Sequence, residues 1–282
     1  MGDSRAAAVL DRSGYELEVA DEFDRPRLDD RLWFPHYLPQ WSSRAASAAR
    51  YAIRDGALHL QITADQEPWC PEFDGALRVS SLQTGLFAGP LGSPIGQHRF
   101  RPDLVVREEQ PALRLYTPQY GLIEARARAT DDPDAMVALW LIGYEDEPDR
   151  SAEICVFEIF GRDVGEAEVA VGMGVHPFGD PSLADDFSRI RLPIDARAFH
   201  VYSAEWTPGG VAFYVDGHLV RAVNQSPAYP MQVMLGIYEL TDDLGRRATP
   251  GRYPKELVVD WFRAYRPAST HPSRGSGLGG GA

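Results

Sequence analysis

Two glutamates, Glu153 and Glu158, stand inside a stretch that is otherwise apolar: Ile154, Cys155, Val156, Phe157, Ile159 and Phe160. Such a run carries carboxylates only where one side of it meets water or a cleft. Two carboxylates on one surface suit hydrolysis of a glycosidic bond. One attacks the anomeric carbon and the other protonates the departing oxygen; in the retaining mode they lie about 5–5.5 Å apart. Adjacent negative charges also drive the two pKa values apart, which keeps one group protonated near neutral pH. On an exposed strand the same residues would be ordinary surface carboxylates, so the pair alone leaves both readings open.

The elements must bring the pair together. Side chains of a strand alternate, so Glu153 and Cys155 share a face while Glu158, five residues on, points the other way. A one-residue β-bulge between Cys155 and Glu158 would return it to the first face. The rest of the chain also reads as strands. In Gly121–Ala129, Ile123, Ala125 and Ala127 alternate with Glu124, Arg126 and Arg128, a half-buried strand. Val211–Val223 is a hairpin turning at Asp216-Gly217. Further strands are expected at Gly56–Thr63, Met136–Ile142, Ala152–Phe160, Phe199–Trp206, Met231–Tyr238 and Leu257–Tyr265. Only Ser43–Tyr51, rich in Ala, is friendly to a helix. This pattern predicts an all-β sandwich of two antiparallel sheets.

Length and charge narrow the function classes. The 282 residues fit one large β domain. Lys and Arg number 28 against 41 Asp and Glu, a net charge of −13 that disfavours nucleic acid and anionic membranes. The only lysine is Lys255, which makes Schiff-base chemistry improbable. Two cysteines, Cys70 and Cys155, make neither a disulfide framework nor a four-cysteine zinc site. There is no apolar run long enough to span a membrane. The first residues carry only a short apolar run and no export signal, so the compartment is left open. We divide the chain into an N-terminal extension (1–14), a β-sandwich domain (15–267) and a Ser/Pro/Gly-rich tail (268–282). The tail holds Gly275, Gly277 and Gly280 at dinucleotide-loop spacing, but no strand precedes them.

Glu153-Ile154-Cys155-Val156-Phe157-Glu158 resembles the E-x-D-x-x-E active-site strand of glycoside hydrolase family 16. The likeness runs in order along residues 17–266. Asp21-Glu22-Phe23 resembles the family's opening, Tyr120–Arg126 its YGxxEAR strand, and Ala138–Leu141 the tryptophan strand before the catalytic one. Phe199–Gly217 and Val259–Tyr265 resemble its later blocks. The resemblance implies a concanavalin A-like jelly roll with a carbohydrate cleft on its concave sheet. It implies Glu153 as nucleophile and Glu158 as general acid/base, in the bulged form of laminarinase-like members. It places Trp140 under the sugar at the cleavage point and His176 facing the cleft. It also implies a structural calcium held by Glu22, the Gly56 carbonyl and Asp260, and no organic cofactor. The expected partner is a polysaccharide or oligosaccharide, with β-1,3- or mixed-linkage glucan favoured, and the expected state is a monomer.

The sequence departs from the family at Cys155, where the pattern has Asp. A neutral thiol adds no negative charge. Losing one of three crowded carboxylates should lower the pKa of the other two, weakening the acid or lowering the pH optimum. The alternative is a lectin-like binder on the same fold. The sole Asn, Asn224, lies away from the motif, so sugar contacts must differ from the family's usual Asn. Glu239 is a candidate further carboxylate beside the cleft. Tyr238, Trp69, Tyr116 and Trp206 are candidate stacking surfaces. The segment Gly85–Pro118 is expected to rim the cleft, with His98, Arg99 and Arg101 read as solvated loop residues.

Overall fold

The structure is a computed structural model and describes residues 8–242 and 252–268. Its strands in chain order are β1 (Tyr15–Asp21), β2 (Arg50–Arg54), β3 (Ala57–Ile62), β4 (Arg78–Gln83), β5 (Gly85–Leu86), β6 (Leu113–Arg114), β7 (Gly121–Arg128) and β8 (Ala135–Gly143). They continue with β9 (Glu153–Phe160), β10 (Val169–His176), β11 (Asp186–Leu192), β12 (His200–Thr207), β13 (Gly210–Val215), β14 (His218–Val223), β15 (Met231–Glu239) and β16 (Lys255–Pro267). One sheet runs β14-β13-β12-β7-β16-β3-β2, with β1 also paired to β16; the other runs β11-β10-β9-β8-β15-β4. All these pairings are antiparallel. This is the expected sandwich.

Alternation sets the core. From β8, Val137, Leu139 and Leu141 face the other sheet; from β15, Val233, Leu235 and Ile237 do the same. The opposite face of these strands is apolar as well. Ala138, Trp140, Ile142, Met234 and Tyr238 pack under a second layer made by Tyr37, Leu38, Trp41, Trp69, Leu104 and Val106. Burial on both faces explains why β8 and β15 read as continuous apolar runs. Gln97 pins this cover down. Its side-chain amide donates to Gln232 Oε1 at 2.8 Å, and its carbonyl accepts from Trp41 Nε1 at 2.8 Å and Gln40 Nε2 at 3.1 Å. The segment 85–118 therefore roofs part of the six-stranded sheet and borders what is left open.

Several elements differ from the sequence reading. Ser43–Tyr51 yields only one helical turn, Arg44–Ser47, capped where Ser43 Oγ accepts from the Ala46 amide at 3.1 Å. The chain then enters β2, because Asp55-Gly56, at φ 55° and 70°, turns it back along β3. Strands β1, β4, β10 and β11 were not legible either. Residues 8–14 lie against the sandwich: Leu10 is buried beside Leu122 and Tyr214, and Arg12 Nη2 reaches Glu124 Oε1 at 2.6 Å. The Gly-rich tail falls outside the described residues.

Candidate active site

Strand β9 carries the bulge that Glu153 and Glu158 need if they are to share a face. Against β8, Leu139 pairs with Phe157 but Trp140 pairs with Cys155, so one residue of β9 is extra. Against β10, Gly172 pairs with Glu158 and Gly174 with Cys155, the same irregularity seen from the other side. Val156 and Phe157 both enter the core, with Ile154 and Ile159 on either side. Phe157 packs on Tyr202, ring centroids 4.6 Å apart. Two consecutive inward residues turn Glu158 back to the face of Glu153 and Cys155. Both glutamates are partly open to solvent, while Cys155 is 2% exposed.

The neighbouring strands shape the floor. On β8 Trp140 sits beside Cys155, and Ala138 leaves space beside Glu158. On β10 the facing positions are Gly172 and Gly174. A Cβ on Gly172 would lie 2.4 Å from the Phe187 ring and 3.3 Å from Glu158 Cβ, so this strand must stay bare to admit Phe187. Phe187 in turn stacks on His176 at 4.6 Å, and His176 Nδ1 meets Asp185 Oδ1 at 2.6 Å. His176 is the cross-strand partner of Glu153.

Burial dominates the electrostatics. Desolvation, with a further push from the charge of Glu158, raises Glu153 to about 8. Desolvation raises Glu158 too, opposed by Arg189, His176 and Arg162. The Cys155 thiol is pushed far up by desolvation and by both carboxylates, so it stays neutral. Burial thus holds both carboxyls high beside an uncharged thiol. Glu153 has an ordinary value of 4.5 and a folded value of about 8, as does Glu145 nearby in the fold. Between those values the folded chain binds more protons than the unfolded one, so stability falls as pH rises through that window. The urea midpoint should drop between about pH 5 and pH 8, and Glu153→Gln should flatten the slope. A midpoint independent of pH would show these carboxyls to be well hydrated.

The structure gathers some expected residues here and sends others elsewhere. Glu153, Cys155, Glu158, Trp140 and His176 share the one face. Trp140 is 6% exposed, so little of it is open to solvent, and its Nε1 donates to Tyr238 Oη at 3.1 Å. Tyr238 is 4% exposed and lies with Trp140 in the apolar cluster on this face. Glu239 does not reach the cleft. It follows Tyr238, so its side chain turns to the opposite face, where it is fully buried with Lys255 Nζ at 2.9 Å and Arg78 Nη1 at 3.1 Å. Tyr116 and Trp206 lie in the core between the sheets, and Trp69 lies in the covering layer, donating to Asp74 Oδ2 at 2.8 Å.

The expected calcium ligands do not form a cation site. Glu22 is engaged by Arg263 Nε at 2.8 Å, and Asp260 by Arg126 Nη1 at 2.5 Å. Gly56 sits in the β2–β3 turn. No group of three or more metal-ligating side chains occurs among the described residues. Guanidiniums already neutralise both carboxylates, which is poor provision for a cation that wants six to eight oxygens. Cys70 and Cys155 are both free thiols.

Other residues of the site were missed or misread. His98 is no solvated loop residue: its ring meets the edge of Trp140 at 5.3 Å and Phe178 at 5.2 Å. Arg99 and Arg101 are exposed, as expected. Phe187, Asp185 and Arg189 were overlooked because β11 shows no clean alternation; the bare Gly172-Met173-Gly174 was the one signal that something large lies over β10.

Comparison with known proteins bears on the family and the fold. Residues 116–263, just over half of the chain, match the family described as "Glycosyl hydrolases family 16". A β-glucanase of Rhodothermus marinus is 26% identical over 172 residues, covering 52% of this chain and 57% of that protein. The chain thus spans little more than half the length of that relative. Among solved structures, a GlcNAcα1-4Gal-releasing endo-β-galactosidase from Clostridium perfringens superposes with a TM-score of 0.79 at 28% identity, over 94% of this chain and 66% of that one. The catalytic domain of a Thermotoga petrophila laminarinase gives 0.61 at 17% identity, over 90% of this chain and 99% of that one, a likeness of fold. No described helix is long and apolar enough to cross a membrane. The motif, the bulged strand that presents it and the family match all coincide within residues 116–263, and the chain belongs to glycosyl hydrolases family 16.

Proposed function

We propose that the protein hydrolyses β-linked polysaccharide within the chain and with retention of configuration. The observation that carries this reading is the bulge, which turns Glu153 and Glu158 to one face with an aromatic edge beside them. Glu153 attacks the anomeric carbon and forms a glycosyl ester as the bond to the leaving oxygen breaks. Glu158 gives its proton to that oxygen, then takes one from water, whose oxygen releases the sugar from Glu153. Attack needs Glu153 as a carboxylate and Glu158 still carrying its proton, although burial raises both groups. Positive charge developing on the sugar favours the carboxylate at Glu153 and leaves the proton on Glu158. Transglycosylation is the same chemistry with a sugar hydroxyl replacing water.

For the substrate, the curated relatives are named β-glucanases, which supports a β-glucan. The greater overlap with the Clostridium perfringens enzyme supports a β-galactoside as the second reading. The test is reducing-sugar release from a panel of β-1,3-glucan, mixed-linkage glucan and galactans. Release from one class, with chain length falling early in the reaction, supports endo-hydrolysis and names the sugar. Release of monosaccharide alone overturns it.

Cys155→Asp probes the departure from the family pattern. A third carboxylate should raise both glutamates further and move the alkaline limb of the pH–rate profile upward. An unchanged rate and profile would show that the missing charge is not limiting. Activity present only in Cys155→Asp would favour a binding module over an enzyme.

A further inference from the structure

Phe160 follows Glu158 by two residues, so it stands on the same outward face, half-buried at the end of β9. Two guanidiniums lie on its ring. That of Arg162, just past the strand, is 4.5 Å from the ring centroid, and that of Arg189 on β11 is 4.3 Å from it. Arg189 reaches so far because Gly172 and Ala170 of β10, which lie between, carry no side chain and a single methyl. Stacking on one ring holds both groups and limits their separation to the sum of those two distances. A cavity of about 250 Å³ adjoins them, lined by Arg162, Asp163, Glu168, Ala170 and Arg191 among others. Two of the cations here are matched: Asp163 accepts from Arg189 Nη2 at 2.5 Å, and Glu168 from Arg191 Nη1 at 2.9 Å. Arg162 is exposed and makes no hydrogen bond or ion pair among the described residues. Glu158 is a third carboxyl within their field: burial raises it, and Arg189 and Arg162 are among the charges that oppose the rise. As the general acid it is uncharged when glycan binds, which leaves Arg162 without a counter-ion. A chain of net charge −13 thus keeps one guanidinium on this face with no carboxylate of its own.

We infer that this end of the face is a subsite for an anionic substituent of the glycan, a sulfate ester or a uronate carboxylate, held by Arg162 and Arg189 beside the Phe160 ring. The inference rests on the hydrolase reading and narrows its substrate to a polymer that bears negative groups. A sugar laid over Arg162 strips water from its charge, a loss that an anion offsets and a neutral hydroxyl offsets only weakly. An oxyanion presents two or more acceptor atoms, and each guanidinium presents paired N–H donors. Two guanidiniums stacked on one ring are close enough for one such group to accept from both.

Affinity electrophoresis of the full chain tests this with β-1,3-glucan and β-galactan, each in neutral form, sulfated, or oxidised at C6 to the carboxylate. The overall charge of the protein repels polyanions, so stronger retardation by a charged form reports a local site. At least one charged form should bind about tenfold tighter than its neutral parent, the effect of one charge-assisted contact. Preference for the sulfated or for the carboxylated form alone supports that substituent, and preference for both supports the shared charge. Arg162→Gln and Arg189→Gln should each remove most of the preference. Arg266→Gln, which removes an exposed charge from the other sheet, should leave it intact. Equal retardation by charged and neutral polymers, none at all included, overturns the inference, as does an equal loss in Arg266→Gln. Binding is read without turnover. A preference in a protein that cuts no polymer refutes the hydrolase reading and leaves the subsite standing; cleavage of neutral polymer with no preference does the reverse.

Discussion

Glu153→Gln is expected to lower turnover by roughly 10⁴-fold or more, the scale found when a covalent nucleophile is removed. The amide keeps the size of the side chain but cannot form the glycosyl ester. Substrate affinity should stay within a few-fold, because Trp140, His176 and the cleft walls are untouched. Azide separates the roles of the two glutamates. With Glu153→Ala and an activated aryl glycoside, azide occupies the vacated space and should restore release with inversion. With Glu158→Ala, azide attacks the intermediate held on Glu153 and the product keeps its configuration. Retained product from the Glu153 variant would reverse the assignment, and a turnover loss under tenfold would remove Glu153 from the chemistry.

Replacing Lys255 by Met is expected to cost about 3–5 kcal/mol of stability, the range for breaking a buried ion pair. The ammonium is wholly buried, with Asp132 Oδ1 at 2.7 Å, Glu239 Oε1 at 2.9 Å and Asp134 Oδ2 at 3.7 Å. Without it, Arg78 is left as the cation recorded beside Glu239. Urea unfolding at neutral pH measures the loss, and a cost below about 1 kcal/mol would mean that Arg78 suffices or that water enters. Lowering the pH should recover part of the loss in the variant, since protonating a carboxyl removes the unpaired charge. The cluster stands away from the Glu153 face, so turnover of the protein that stays folded should change little.

The central strands and the carboxylate pair were legible in the sequence because each has a local signature. Ile123, Ala125 and Ala127 alternate, Asp216-Gly217 marks a turn, and two glutamates in an apolar run need one side of the strand open to water or to a cleft. The bulge was legible for a sharper reason: spacing and shared face are incompatible in a regular strand. What failed was set by distant contacts. Glu239 looked like a cleft residue, but its partners Lys255 and Arg78 are 16 and 161 positions away. Glu22 and Asp260 could be carboxylates for a cation or for arginines, and sequence order does not say which. His98 looked solvated because nothing local to it announces Trp140. Long-range charge pairing and the folding of the 85–118 segment over the sheet leave no periodic trace.

The doubled inward step at Val156 and Phe157 bears on how this strand can change length over evolutionary time. Ordinarily, deleting one residue from a paired strand exchanges its two faces downstream and throws core side chains into water. Deleting Val156 is the exception. Phe157 would then follow Cys155 directly as a single inward residue, and Glu158 would fall four places after Glu153, still facing outward. Registers against β8 and β10 would become regular instead of breaking. Strand β9 is therefore a place where a shortening mutation preserves both glutamates and all outer pairings. Motifs with four or five steps between the glutamates can interconvert in one event, with the separation of the two groups as the quantity that selection then adjusts.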